Sequence, residues 1–279
     1  MATTITRQAP ILPAPSGRAG FGGTLRSEFT KIGSVRSTYQ TLLLLLAVSV
    51  VIGAAISAIS ANFWSNTPPA DRTPLDATQL SLVGMLLLGQ LVMVVPGALV
   101  LSAEYSTGMI RTSLIAMPRR GVLYVAKAVA FAAVALGVSL ATAFTAFFLG
   151  QSLLASTHQS ATLAGPDVLR AVIGSALYIT LCGLFSLAAA AVIRNTAATI
   201  TTMIGLLFVL PVLVNWLPWR DDLVRWLPTS AARAISVTVS NSGPQNAHLF
   251  SPWGQLAVFA VYTAILLVVG GILFRKRDA

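Results

Sequence analysis

The stretch Leu101–Lys127, LSAEYSTGMIRTSLIAMPRRGVLYVAK, is the one substantial polar interruption in the first half of the chain. It sets Arg111, Arg119, Arg120 and Lys127 against a single acid, Glu104. Long apolar runs stand on both sides of it. A helix needs roughly 20 apolar residues to cross the hydrocarbon of a bilayer, and each flanking run reaches that length. If the runs are spans, this stretch is a loop facing the cytoplasm, and anything driving the protein from inside the cell must grip it.

Composition favours spans. The chain has 279 residues, 56% apolar and 9% charged, with a mean hydropathy of +0.81. A soluble domain carries about 25% charged residues, so this chain lacks the charge to coat a water-facing surface. The expected fold is an all-α integral membrane protein of six transmembrane helices. The spans are predicted at about 41–61, 80–101, 122–149, 171–193, 197–217 and 254–274, forming one membrane domain over residues 40–279. SAISA at Ser57–Ala61 resembles a signal-peptide cleavage site, but the first run is long for a signal core and about 40 residues precede it, so it is read as a retained span. The single cysteine, Cys182, lies in an apolar run, and no disulfide within the chain is possible.

Residues 1–23 are rich in Ala, Pro and Gly and read as a disordered cytoplasmic tail. Residues 24–39 place Leu25, Phe29, Ile32, Val35 and Tyr39 at helical spacing, with Arg26, Lys31 and Arg36 among the polar positions. That pattern predicts an amphipathic helix in the membrane interface, its basic residues near anionic headgroups.

Orientation follows from the basic residues. With both termini inside, the cytoplasmic side holds the Arg and Lys residues up to Lys127, except Arg72, together with Arg194 and the terminal Arg275, Lys276 and Arg277. The outer side holds Arg72, Arg170, Arg220, Arg225 and Arg233, balanced by Asp71, Asp76, Asp167, Asp221 and Asp222. The whole net charge of +10 therefore falls on the inner side, which accounts for the basic pI without nucleic acid as a partner. Trp64, Trp216, Trp219, Trp226 and Trp253 all fall toward the outer side, as an aromatic belt would. Residues 218–252 form the longest external piece, with a short helix at Asp221–Leu227 lying on the membrane. Arg194-Asn195-Thr196 is a tight inner hairpin.

The sequence has no GxxxxGK[ST] loop, no HExxH or paired-Cys metal pattern and no GxSxG serine. No catalytic or metal residue is expected. His158 and His248 stand alone in outer loops. The span centres carry no acid or base, which disfavours a proton-coupled carrier. Gln90 within the second span is read as a hydrogen-bonding contact between helices. Within the opening stretch, Gly108 weakens a continuous helix and Pro118 stops one, leaving a short helix at 106–117 before Arg119 and Arg120 anchor the next span. On residues alone, this is equally a docking element or a positive loop that sets topology.

Three segments carry a resemblance: LRSEFTKIGSVRSTYQTLLL at 25–44, LSAEYSTGMIRTSLIAMPRRGVLYVAKA at 101–128 and GLFSLAAAAVIRNTAATI at 183–200. The terminal FRKRDA fits as well. The chain resembles the permease subunits of ABC-2 type transporters, those of actinobacteria especially. The resemblance implies a plasma-membrane permease with an interfacial helix before the first span. It also implies a separate P-loop ABC ATPase that holds ATP and Mg, so this chain needs no cofactor of its own. A second permease copy or paralogue would complete the dimer. Residues that would meet the ATPase are Glu104, Tyr105, Thr107, Gly108 and Arg111, with Arg119 and Arg120 beside them. Arg194 and Asn195 would add a second contact. The chain's shortness points to export of a small hydrophobic molecule or lipid. The alternatives are a passive or ion-driven channel or carrier, and a membrane anchor that transports nothing.

Overall fold

The computed structural model describes residues 20–34, 36–106, 108, 119–217, 220–238 and 250–276. Among them the regular structure is helical throughout. Six helices are long and apolar enough to cross a membrane: Arg36–Asn66, Ala77–Tyr105, Arg120–Thr157, Val168–Ile193, Thr196–Val214 and Pro252–Lys276, here spans 1 to 6. The protein is an all-α, multi-pass membrane protein. Most helices exceed the predicted spans, because the sequence marks where a run is apolar while backbone hydrogen bonding continues into the polar headgroup region.

Span 4 is the axis of the bundle. It packs against spans 2, 3 and 6, and 72% of its most apolar stretch is buried within the protein, against 22% for spans 5 and 6. Its composition explains this. Between lipid-solvated helices there is little hydrophobic drive, so small residues that let backbones approach decide which faces meet. Gly183 of span 4 receives Gly97 of span 2 so closely that a Cβ at Gly97 would collide with the Gly183 carbonyl. Ala188, Ala190 and Ala191 are likewise buried. Span 1 packs on spans 2 and 3, where Gly84 of span 2 seats against the backbone of Ser49. Polar groups reinforce these seams. Gln90 accepts the Tyr178 hydroxyl at 2.6 Å, as expected of a contact between helices. Ser186 Oγ donates to Val94 O at 2.7 Å, two residues before Pro96.

Spans 2 and 5 each contain a five-residue π-helical turn, Met85–Gly89 and Gly205–Val209. Such turns occur mostly as single insertions in α-helices, frequently at functional sites.

The amphipathic helix runs Phe21–Ser34, and span 1 begins at Arg36. Residue 35 lies outside the described residues, and Arg36 and Tyr39 fall in the helix of span 1. The amphipathic helix has three faces rather than two. At 100° per residue, Thr24, Glu28 and Lys31 share one side; the first two are buried and Lys31 half-buried. Leu25, Phe29 and Ile32 form the adjacent apolar strip, and Arg26 lies beyond it, exposed.

The segment after span 5 is not simply external. Arg220–Val224 is a helical turn, with Leu223 and Trp226 exposed, but Ser230–Ser236 is a helix packed against spans 4 and 6. Its Ile235 is fully buried on Gly174. Arg170 at the head of span 4 holds its C-terminal carbonyls, donating to Val237 O at 2.9 Å and to Ala234 O and Ile235 O at 3.4 Å. A guanidinium there satisfies carbonyls that a helix end leaves open and opposes its dipole. Asp76 anchors the outgoing chain, accepting from Thr238 N at 2.7 Å. Alternating polarity in Ser230–Ser236 is too weak to reveal a buried helix in sequence.

Candidate functional site

Every other helix end brings the chain back to one end of the bundle, where the basic residues gather. There the amphipathic helix, the end of span 2 and the start of span 3 meet around four charges. Lys127 lies seven residues into span 3 and is 1% exposed. Its Nζ donates to both carboxylate oxygens of Glu28, each at 2.9 Å, and to Glu104 Oε1 at 2.6 Å. Lys31 also bonds to Glu104 Oε1. Glu28 and Glu104 are 6% and 3% exposed. The cluster is neutral in sum, two ammonium groups against two carboxylates. Glu104 Oε2 is buried and, among the described residues, has no hydrogen-bond partner.

Each member has a local reason for its place. Glu28 and Lys31 are three apart, on one helical face. Glu104 sits in the last turn of span 2, which runs further than predicted before Gly108, at φ +69°, takes the left-handed conformation that glycine adopts without steric cost. Ion pairs taken out of water contribute little net stability, but losing one partner leaves a buried charge and costs about 3–5 kcal/mol. The geometry thus makes a lock: the amphipathic helix cannot leave the bundle without exposing or stranding two carboxylates.

Tyr105, next in sequence to Glu104, faces the other way. Its ring meets Phe274 of span 6 edge-on at 6.4 Å, and Phe274 in turn touches Tyr124 of span 3 at 5.7 Å. The Arg194 guanidinium lies 4.9 Å over the Tyr105 ring, a cation–π contact. Arg194 ends span 4 in the left-handed region at φ 60°, and Asn195 caps span 5 by accepting from Ala198 N at 2.9 Å. Thr196 Oγ1 donates to Ser102 Oγ at 2.8 Å. The expected hairpin is therefore tight, and it is fastened to the end of span 2.

The residues proposed from sequence thus divide. Glu104 and Tyr105 form the hub, with Lys31, Arg194 and Asn195 beside them. Glu104 points inward, so its influence on anything outside passes through the amphipathic helix. Gly108 and Arg119 are exposed and Arg120 is half-buried at the mouth of the loop. Arg26, Phe29 and Arg36 lie on exposed faces and do not join the cluster. Thr107, Arg111 and the expected short helix at 106–117 lie outside the described residues, apart from Ser106 and Gly108.

Sequence reading missed Glu28 and the partnership of Lys127. The signal was available. Lys127 falls inside the predicted third span, a buried position where a charge requires a partner, and Glu28 and Glu104 are the acids nearest it on that side of the membrane.

A second feature lies toward the opposite end. Two adjoining cavities open beside the helix Ser230–Ser236, one of about 200 Å³ between spans 2 and 5 and one of about 300 Å³ between span 2 and that helix. Both π-helical turns contribute, through Leu87 and through Leu207 and Phe208. Gln90 and Arg233 line both cavities, so a mainly apolar space carries a few hydrogen-bonding groups, the usual make-up of a small-molecule site. Among the described residues no group of His, Cys, Asp and Glu could hold a metal ion. The chain matches no known protein family, and no curated protein matches it.

Proposed function

We propose that this chain is the permease subunit of an ATP-driven exporter of the ABC-2 type, moving a small hydrophobic molecule or lipid. The single observation that carries this reading is the four-charge lock. It joins an interfacial helix, the end of span 2 and the start of span 3 into one stiff body beside the polar loop. A push on that loop reaches spans 2 and 3 as leverage rather than being absorbed in a soft linker. The hairpin Arg194–Thr196, fastened to Ser102 and Tyr105, extends the same body to spans 4 and 5.

In this reading the basic end faces the cytoplasm, as positive residues favour. A separate P-loop ATPase binds ATP and Mg and grips the loop. A second copy or paralogue completes the permease, and ATP binding rocks the pair between inward- and outward-facing states. The cavity under Ser230–Ser236 suits an apolar substrate held before release. The ionisable groups of the lock sit at the membrane's edge and the span centres carry none, so the chain lacks the intramembrane relay of an ion-driven carrier.

The test is co-purification from the native membrane in mild detergent, followed by ATP hydrolysis and vesicle transport assays. A stoichiometric P-loop ATPase whose turnover responds to this chain supports the proposal. Transport without nucleotide would favour a channel or carrier. A chain that purifies alone and moves nothing would favour an anchor.

A further inference from the structure

We propose that the groove between spans 3 and 6 is a binding site for one anionic phospholipid, with its acyl chain in the groove and its phosphate on Arg275. The proposal goes beyond the transport reading and does not depend on it.

The groove has a volume of about 490 Å³ and opens sideways between the two spans, with Leu184 of span 4 at its floor. Its walls are apolar: Val125, Ala128 and Ala132 on span 3, Leu267, Val268 and Ile272 on span 6. Gly121 and Gly271 stand at its basic end, where their lack of a side chain lets the Arg275 guanidinium lie over the first and the Tyr124 ring over the second. It extends over Gly121 to Ala132 on one wall and Leu267 to Arg275 on the other, about 16 and 12 Å at 1.5 Å per residue. Half the hydrocarbon thickness is about 15 Å, so the groove is one leaflet deep. A space of that depth, opening to lipid, fits an acyl chain that starts at the headgroup level.

Charge identifies the headgroup. Arg275 stands at the mouth, exposed, its guanidinium lying directly over Gly121, where a Cβ would collide with it. Among the described residues it forms no ion pair. Among the described residues the acids at this end are Glu28 and Glu104, and both are paired with Lys127 and Lys31. The exposed charges that remain there, among the described residues, are basic: Arg26, Arg36, Arg119, Arg275 and Lys276. A guanidinium offers paired N–H donors to phosphate oxygens, and a positive rim favours an anionic lipid over a zwitterionic one.

The experiment uses the full chain in phosphatidylglycerol–phosphatidylcholine vesicles, each lipid in turn carrying a photoreactive acyl chain, with adducts mapped by mass spectrometry. Phosphatidylglycerol should label residues 124–132 and 267–272 several-fold more than phosphatidylcholine does. Arg275→Gln should bring the two lipids level, and Arg275→Lys should restore part of the preference. Ala132→Phe, which fills the groove, should lower labelling by both lipids there while leaving the faces of spans 1 and 5 unchanged. Equal labelling of the wild-type groove by both lipids would overturn the proposal, as would a preference that survives Arg275→Gln. No labelling of the groove by either lipid, while the faces of spans 1 and 5 are labelled normally, would overturn it equally.

Discussion

Lys127 has three carboxylate oxygens within 3 Å and almost no contact with solvent. Replacing it with Met keeps much of the side-chain volume, strands Glu28 and leaves Glu104 with Lys31 alone. The expected loss is about 3–5 kcal/mol of stability, read as a lowered midpoint in a detergent unfolding titration. Adding Glu28→Gln and Glu104→Gln to that variant should recover most of the loss, because neutral amides bury at lower cost than unpaired carboxylates. A triple variant no more stable than Lys127→Met would mean that the cluster is accessible to water. Sequence held part of this: Lys127 stands out as a charge within an apolar run. It did not hold the partner, since Glu28 lies ninety-nine positions away, and no local rule brings it to span 3.

Helices meet here through missing side chains, and two glycines make opposite forecasts. Gly97→Ala would drive a Cβ into the Gly183 carbonyl, backbone against backbone. Overpacking of this kind costs about 1–3 kcal/mol, and thermal unfolding should show it. Gly137→Ala in span 3 meets nothing within 4 Å, and should be neutral or stabilising by up to about 1 kcal/mol through helix propensity. The helix Ser230–Ser236 gives a second forecast at this scale. Arg170→Ala removes the donors to three carbonyls at its end. Hydrogen exchange across residues 230–238 should quicken by at least tenfold, while the interior of span 4 stays protected; unchanged exchange would assign the ordering to Asp76 and Ile235 instead. The six spans were legible because apolar length is a local property. The amphipathic helix was legible in period, but its third, buried polar face of Thr24 and Glu28 was not, because the acid's partner lies in span 3.

Across the whole molecule, the lock and the hairpin form one body at the basic end, and the cavity between spans 2 and 5 lies toward the other. If the chain is an ATP-driven permease, loosening the lock should separate fuel from work. Glu104→Gln leaves Lys127 with Glu28 and should preserve insertion and assembly. Substrate movement per ATP hydrolysed should fall several-fold in vesicles containing the complete transporter. Unaltered coupling would leave the cluster a structural clasp only.

The sequence by itself determined the solvent, the helical class and the number of crossings, because hydrocarbon selects apolar length and excludes charge one segment at a time. It also determined which end of the bundle is basic, since that follows from where the arginines and lysines fall between spans. Tertiary structure alone decided that span 4 is the axis, that Glu104 turns inward to Lys127 and Lys31, that Ser230–Ser236 is buried, and that spans 3 and 6 leave a groove one leaflet deep. All of these depend on which faces of similar apolar helices meet. Between such helices the choice rests on a few glycines, buried charges and hydrogen bonds whose partners are far apart in the chain.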